Sequence, residues 1–393
     1  MVAVVAGAVA GCSGPLGLVG SALAPLASAA PSASAASSAA AAAVAPAAAA
    51  TPAVSPSQSQ QGAVHPTNAQ LIGQKLVIIM AGKKPGADLL GRVTRGEIGG
   101  VVLLGANISS RSQLISLTGK LQAAATAGGQ PPLMIAVDQE GGSVKRVSWA
   151  PPTITVPEMG SQGSTAVARS QGRQTGAALR DLGINTDFAP VADVPRSTSS
   201  FMYQQGRTFS FDATLTAKLA DSFAGGLGSQ GVLATMKHFP GIGLAIQNTD
   251  HYVDTITASR SVLAPDLLPY KKAIYHHIPL IMLSNATYTA YDSHNAAGWS
   301  YAIANTLLRH DLGFTGVTIT DSLSGTAHAR GLTLKDLALR AALAGVDMIL
   351  STGSEKTTNS LYSTLLADAN DGTIPTATLR ASYNRILALK AGL

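Results

Sequence analysis

The chain has 393 residues, with 27 Lys or Arg and 21 Asp or Glu, which gives a formal charge of +6. Charged residues make up only 12% of the chain and form no basic run, so a nucleic-acid-binding protein is not indicated. The single cysteine excludes an intrachain disulfide, and the histidines lack the spacing of a zinc site. We therefore expect no metal and no other cofactor.

Residues 1–20 have the pattern of a signal segment with a lipidation site. Cys12 follows Val9-Ala10-Gly11, the small-residue pattern before the acylated cysteine of a lipoprotein. The apolar stretch before Cys12 is too short to span a bilayer. We expect a secreted protein anchored by lipid on Cys12 to the outer face of the cytoplasmic membrane. A plain secretory signal with an incidental cysteine is the alternative, and no Lys or Arg precedes Lys75 to supply the usual positive charge of a signal.

Residues 21–62 consist largely of Ala, Pro and Ser, without charge or a periodic apolar face. The repeated prolines interrupt any helix that the alanines would form. This composition predicts a disordered tether that holds the folded part away from the membrane.

Residues 63–393 have the composition of one globular domain, with short apolar runs alternating with longer amphipathic stretches. The apolar runs predict eight strands at Leu76–Met80, Gly100–Gly105, Leu133–Gln139, Thr186–Val194, Val232–Phe239, Leu280–Ala286, Val317–Ser322 and Asp347–Ser351. The amphipathic stretches predict helices that include Ser109–Ala127, Ala166–Leu182, Ala213–Gln230 and Leu332–Ala344.

Eight strand-then-helix units fit an α/β fold of the (β/α)8 TIM-barrel type, and nearly continuous apolar strands are typical of parallel strands buried on both faces. An open, doubly wound sheet is the structural alternative. The positions of the potentially reactive residues favour the barrel, since they follow the C-terminal ends of different strands, where barrel enzymes carry their chemistry. These residues are Asp138, Asp193, Lys237, His238, Asn285 and Asp321.

Four segments carry a family resemblance: IAVDQEGGSVKR at 135–146, GRTF at 206–209, KHFPG at 237–241 and ITDSLS at 319–324. In this order and spacing they resemble glycoside hydrolase family 3, in particular its single-domain bacterial β-N-acetylglucosaminidase branch. The likeness extends over residues 68 to 393. It implies a barrel enzyme that releases terminal N-acetylglucosamine from cell-wall or chitin-like glycans with retention of configuration.

Asp321 is the candidate nucleophile. A carboxylate at a strand end is chemically suited to attack an anomeric carbon and to form a glycosyl ester. The same residue type before an apolar run also makes a good helix N-cap, which is the structural alternative. The family resemblance implies the nucleophile, because Asp321 matches the nucleophilic aspartate of the family motif.

The resemblance also implies a set of sugar-binding residues: Asp138, Arg146, Arg207, Lys237 and His238. For the two arginines, an internal ion pair with Asp138 or Asp193 is the alternative. Glu140 is expected to point to the side of its strand opposite Asp138, as a rim or helix-cap residue, because side chains alternate along a strand.

The general acid is predicted in the loop after KHFPG. In the resembled branch this loop carries a histidine oriented by an aspartate two residues before it, whereas here Asp250 and His251 are adjacent. His251 remains the predicted acid–base, since an imidazole exchanges protons near neutral pH, with Asp250 or Asp254 to orient it. The alternative is that His251 is only a solvated loop residue. Asn285 stands where relatives often have histidine.

Two rival functions remain open at this point: a β-glucosidase or β-xylosidase of the same family, and a lipid-anchored sugar-binding protein without catalysis. A carboxylate at Asp321 has no use in a pure binder. The expected partners are therefore a carbohydrate substrate and, through lipid alone, the membrane. We expect a monomer.

Overall fold

The structure is a computed structural model that describes residues 66–393. Eight parallel strands form its central sheet. We number them in chain order as β1 Leu76–Ile79, β2 Gly100–Leu103, β3 Met134–Val137, β4 Thr186–Asp187, β5 Leu233–Phe239, β6 Leu280–Leu283, β7 Val317–Thr320 and β8 Ile349–Ser351.

The eight strands close into a barrel. Hydrogen-bonded neighbours run in the order β7-β6-β5-β4-β3-β2-β1-β8, and each neighbouring pair is parallel. A parallel bridge between Ile319 and Met348 joins the two ends of this order. The amide of Thr320 donates to the carbonyl of Met348 at 3.1 Å, and the amide of Met348 donates to the carbonyl of Thr318 at 2.9 Å. No edge strand is therefore left open in the described barrel.

Helices surround the barrel and bury their apolar faces against it. The longer ones are Asn68–Lys75, Ala87–Thr94, Arg111–Ala127, Val156–Gln162, Thr165–Arg180, Ala213–Gly228, Leu268–Tyr275, Leu323–Ala329, Leu334–Leu343, Glu355–Asn370 and Thr376–Lys390, with a π-helix at Ala302–Asp311. Four-residue helices lie at Phe201–Gln204 and Arg260–Leu263, and 3-10 turns at Gly105–Asn107, Ala264–Leu267 and Ala297–Trp299.

The loops at the C-terminal end of the barrel contain short paired strands. Gln139–Gly141 pairs with Val144–Lys145 directly after β3, and Thr287–Tyr288 pairs with both Thr255–Ile256 and Asp292–Ala296. These pairings fix the loops that carry the polar residues described below.

The predicted (β/α)8 barrel is confirmed, and each of the eight predicted strands contains an observed one. The largest difference is at Thr186–Val194, where only Thr186–Asp187 is a strand and Val191 adds an isolated bridge to Lys237. Pro190 interrupts the pairing because it has no amide hydrogen to donate. The four named helices agree with the predictions to within about two residues, the usual uncertainty of helix ends.

The predicted signal segment, the lipidated Cys12 and the tether at 21–62 all lie outside the described residues. Within 66–393, no helix has both the length and the apolar composition required to cross a membrane.

Candidate active site

A polar cavity of about 290 Å³ opens at the C-terminal end of the barrel. All eight residues predicted to bind or process a sugar line it: Asp138, Arg146, Arg207, Lys237, His238, Asp250, His251 and Asp321. Its wall also includes Glu140, Phe188, Met282, Ser322, Gly325, Leu350 and Thr352. The barrel therefore collects residues that are distant in sequence around one small cavity, large enough for one sugar ring.

Lys237 is the centre of a buried charge network. Its Nζ lies 2.9 Å from Asp138 Oδ1 and 2.5 Å from Glu140 Oε1. Burial favours the neutral amine, but the two carboxylates outweigh it and raise the pKa of Lys237 above its usual value. The lysine therefore stays charged at the bottom of the cavity and holds both carboxylates in place. Arg146 joins the network through Nη2, 3.5 Å from Asp138 Oδ2.

Glu140 corrects the expectation of a rim or helix-cap residue. The glutamate is buried, and it accepts hydrogen bonds from Arg207 Nε and Nη2, both at 2.8 Å. Burial alone would raise its pKa, but the charges of Lys237 and Arg207 lower the pKa of Glu140 to about 2. Alternation places residues two positions apart, such as Asp138 and Glu140, on the same face, so the expectation of opposite sides did not follow from the rule. The strand β3 also ends at Val137, before a separate two-stranded hairpin that begins at Gln139.

Arg207 is thus held by an internal ion pair, as the structural alternative proposed, although its partner is Glu140 instead of Asp138 or Asp193. The pairing is bidentate, which fixes the guanidinium plane as well as its position. Arg207 still lines the cavity, so the ion pair orients the arginine without removing it from the site.

Asp193 holds His238 instead of an arginine. His238 Nδ1 lies 2.7 Å from Asp193 Oδ2, and Asp193 Oδ1 accepts the backbone N–H groups of His238 and Ile242 at 3.3 and 2.8 Å. This arrangement places the imidazole proton on Nδ1 and leaves Nε2 outside the pair. His238 is therefore a fixed polar group in the cavity wall.

Asp321 follows β7 directly. Its Oδ1 accepts the backbone N–H of Ser322 at 2.7 Å. The hydroxyl oxygens of Ser322 and Thr352 lie 2.7 Å apart, and Thr352 directly follows β8. A helix N-cap side chain accepts a hydrogen bond from the N–H of the second or third residue of the helix. Asp321 accepts from its own neighbour instead, so it does not act as a conventional helix N-cap.

The loop at 241–254 carries Asp250 and His251 into the cavity wall. Asp250 is hydrogen-bonded through Oδ1 to Asn285 Nδ2 at 3.2 Å. Asp254 accepts the backbone N–H groups of Ile246 and Gln247 and so closes the loop on itself. Within the described chain, neither aspartate is hydrogen-bonded to the ring of His251, so the expected aspartate–histidine pair is not formed in this structure.

Asp187, at the end of β4, was not identified from the sequence. Its Oδ1 accepts the backbone N–H of Gln139 at 2.9 Å, while Oδ2 has no hydrogen-bond partner among the described residues. Burial raises the pKa of Asp187 to about 8, so the neutral acid is favoured beside the charged network of Lys237. Asp187 is the second residue of a buried strand, and nothing in the sequence pattern marked it as a candidate site residue.

Comparison with known proteins defines the family. The N-terminal domain of glycosyl hydrolase family 3 matches residues 69–389, which is most of the chain. The chain belongs to glycosyl hydrolase family 3. The resemblance inferred from its four motifs is confirmed, and the chain is a glycoside hydrolase.

Among sequence relatives, a β-hexosaminidase from Nitrosomonas eutropha is 34% identical over 68% of this chain and 77% of that protein. The β-hexosaminidase A of Pseudoalteromonas piscicida is 33% identical, and the match covers 72% of this chain but only 53% of that protein. An uncharacterized secreted glycosyl hydrolase of Arthroderma benhamiae is 32% identical over 82% of this chain and 92% of that protein.

Solved structures with these activities in their descriptions show the same fold, and the first of them is described as a family 3 enzyme. A β-N-acetylglucosaminidase from Paenibacillus sp. FPU-7 superposes with a TM-score of 0.80 at 29% identity, covering 84% of this chain and 63% of that one. A β-N-acetylhexosaminidase from Beutenbergia cavernae superposes with a TM-score of 0.77 at 27% identity, covering 83% of this chain and 99% of that one.

Proposed function

We propose that this family 3 glycoside hydrolase is an exo-acting, retaining β-N-acetylglucosaminidase that releases terminal N-acetylglucosamine from cell-wall-derived or chitin-like glycans. The observation that supports this proposal most is that Asp321 and the charge network of Lys237 line the same cavity. Relatives named as β-hexosaminidases at 33–34% identity support the choice of sugar. The cavity volume of about 290 Å³ suits one terminal ring better than an internal chain segment.

Asp321 is the proposed nucleophile. Its carboxylate attacks the anomeric carbon as the glycosidic bond breaks, and the resulting glycosyl ester is then cleaved by water, so that two inversions give net retention. The backbone N–H of Ser322 donates to Oδ1 of Asp321, while Oδ2 takes no part in that hydrogen bond. This arrangement supports the proposed role. The proton for the leaving oxygen comes from the loop that carries Asp250 and His251.

The terminal sugar is proposed to be held by Asp138, Arg146, Arg207, Lys237 and His238. Asp138 accepts hydrogen bonds from sugar hydroxyls, while the cations and His238 Nε2 supply complementary partners. The protein itself holds these groups in place: Lys237 pairs with Asp138 and Glu140, and Glu140 pairs with Arg207. Such preorganisation reduces the entropy that is lost when the substrate binds.

We also propose that the protein acts outside the cytoplasm as a lipoprotein anchored through Cys12, and that it works as a monomer. The secreted relative from Arthroderma benhamiae supports an extracellular location. Export followed by lipidation would place the enzyme among cell-wall glycans, its proposed substrates.

The test is hydrolysis of p-nitrophenyl β-N-acetylglucosaminide by the full chain, beside the β-glucoside and β-xyloside. The N-acetylglucosaminide is expected to give the highest kcat/KM. Asp321→Asn should lower kcat by at least about 10⁴, because no covalent ester can form at useful rates. A preference for the glucoside would refute the proposed substrate, and binding of N-acetylglucosamine without turnover of any glycoside would refute the enzyme.

A further inference from the structure

We propose that Asp250 itself, and not His251, is the general acid–base of this enzyme. The inference rests on the proposed retaining mechanism and specifies the group that moves the proton. It replaces the predicted histidine with a second carboxyl group in the cavity of Asp321.

The first support is the link between the two carboxyl groups. Asn285 is fully buried, and its Nδ2 donates both to Asp250 Oδ1 at 3.2 Å and to the carbonyl of Ser322 at 2.9 Å. Ser322 is the residue whose N–H binds Asp321. One amide group therefore ties the candidate acid to the backbone beside the nucleophile. Arg330 steadies this link, since its Nη2 donates to the carbonyl of Asn285 at 3.0 Å.

The second support is the close fit of the loop against the barrel. The side chain of Asn248 accepts the N–H of Asp250 at 2.9 Å, which forms a tight turn. On the other side, Gly325 in the helix Leu323–Ala329 allows Asp250 to approach: a Cβ at Gly325 would lie 2.4 Å from the Asp250 carbonyl oxygen. Asp250 thus packs closely against the helix that begins two residues after the nucleophile.

The third support is its ionisation. Burial and the negative charge of Asp321 raise the pKa of Asp250 to about 7, against the opposing effects of His238, Arg207 and the hydrogen bond from Asn285. At neutral pH a large fraction of Asp250 therefore carries a proton. Formation of the glycosyl ester removes the charge of Asp321, which lowers the pKa of Asp250 and makes it a carboxylate base for the second step.

His251 lacks the corresponding support. Its side chain is exposed, and its ring has no hydrogen-bond partner within residues 66–393. Nothing in the described chain fixes its tautomer or its orientation, which general acid–base catalysis requires.

The proton balance is complete with the two carboxyl groups and water. In the first step, Asp250 donates its proton to the glycosidic oxygen, the C1–O bond breaks, and Asp321 forms the ester bond to C1. In the second step, ionised Asp250 takes a proton from water, the water oxygen bonds to C1, and the ester bond breaks. Both carboxyl groups return to their starting states.

The experiment compares leaving groups. Phenyl β-N-acetylglucosaminide needs a proton for its leaving oxygen, whereas the 2,4-dinitrophenyl glycoside does not. Asp250→Ala is expected to lower kcat/KM by about 10²–10⁴ on the phenyl substrate and far less on the dinitrophenyl one. Azide should restore turnover of the dinitrophenyl substrate and yield the β-glycosyl azide, because a small anion replaces the water that needs a base. The basic limb of the pH profile, near pH 7 in the wild type, should disappear.

The comparison variants test the rival residue and the geometry. His251→Ala should cost less than about tenfold, equally on both substrates, since it takes no part in proton transfer. Gly325→Ala keeps the carboxyl group but displaces it, and should lower kcat/KM on the phenyl substrate by about 10–100-fold in a folded protein.

Each result bears on the inference. A leaving-group-dependent loss with azide rescue in His251→Ala, or an equal loss on both substrates without rescue in Asp250→Ala, would overturn it. If the wild type prefers the glucoside, the proposed substrate is wrong, and the same comparison on aryl glucosides decides the role of Asp250. If Asp321→Asn remains active, the nucleophile assignment is wrong and the inference falls with it.

Discussion

Both ends of the barrel contain buried lysines, but the hydrogen-bond partners of these lysines differ. At the C-terminal end, Lys237 lies between the carboxylates of Asp138 and Glu140 and keeps its charge. At the N-terminal end, Lys75 donates to the Val346 carbonyl and to Ser382, at 2.7 and 3.0 Å, with no carboxylate among these partners.

Lys390 is the second lysine of the N-terminal end. Its Nζ donates to Gln74 Oε1 and to the Gly99 carbonyl, both at 2.6 Å. Because its partners are neutral, burial lowers the pKa of Lys390 to about 7, while that of Lys75 falls to about 8. The comparison teaches that burial alone does not set the ionisation of a lysine: two carboxylate partners raise the pKa of Lys237, whereas hydrogen bonds to neutral groups leave the pKa values of Lys75 and Lys390 lowered.

The largest expected effect is on the fold, at Asp347. This fully buried carboxylate, just before β8, binds Arg309 Nη2 and accepts from Arg385 Nε and Nη2 at 3.0 and 2.7 Å. Asp347→Asn would leave two partly buried guanidinium groups without their counter-charge. We expect a loss of about 3–5 kcal/mol in the free energy of unfolding, measured in urea.

Since Asp347 lies at the opposite end from the cavity, kcat/KM per folded molecule should not change. A large loss of kcat/KM in a fully folded Asp347→Asn protein would contradict the separation of structural and catalytic ends that the comparison describes.

The next largest effect is expected at Glu140, where a substitution should lower both the stability of the fold and kcat/KM. Glu140→Gln removes the charge that orients Arg207 and Lys237. We expect a decrease of about 10–100-fold in kcat/KM, because displaced sugar-binding groups misplace the substrate. Glu97→Gln is the matched control: Glu97 also pairs with two arginines, Arg92 and Arg95, but away from the cavity. Equal kcat/KM losses in both variants would contradict a specific role of Glu140.

Most of the fold could be predicted from the sequence. Continuous apolar runs such as 100–103 and 280–283 are buried in the barrel, and this pattern predicted them as parallel strands. The extent of the strand at Thr186 was less predictable. Pro190 removes one donor, and the chain then continues through a bridge at Val191, a balance that depends on neighbouring strands.

The cavity residues were predicted because motif positions at strand ends converge in a barrel. The hydrogen-bond partners of these residues could not be predicted as well, since they depend on three-dimensional contacts between residues far apart in sequence. Glu140 and Arg207 are 67 positions apart, and Asp250 and Asn285 are 35 apart. The expectation for Glu140 was wrong because alternation places residues two positions apart on the same face, and Glu140 indeed lies with Asp138 beside Lys237.

A smaller effect is expected from the pH dependence of stability at Lys390. Its folded-state pKa of about 7 lies below the ordinary lysine value of 10.5. Between these two values the unfolded chain binds a proton that the folded chain lacks, so stability rises with pH in this window. Below pH 7 both states are protonated and the unfavourable contribution is constant.

Urea unfolding at pH 7.5, 8.5 and 9.5 tests this dependence. Replacing the titrating group in Lys390→Met should reduce the slope of unfolding free energy against pH by about 1.4 kcal/mol per pH unit. Arg380→Met, on the same helix Thr376–Lys390 but exposed, is the control and should keep the wild-type slope. Identical slopes in all three proteins would show that Lys390 stays charged in the fold.

The smallest effect is expected at the surface, where Arg111 Nη2 and Asp181 Oδ2 are 3.5 Å apart and both side chains are more than half exposed. Asp181→Asn removes one charge of this pair, as Asp347→Asn does in the interior, so the two substitutions differ mainly in burial. Because water solvates both groups in the folded and the unfolded chain, we expect a change of less than about 0.5 kcal/mol in the free energy of unfolding. Urea unfolding at low and high salt measures it. A loss close to that of Asp347→Asn would mean that the count of ion pairs, and not their burial, sets the stability of this barrel.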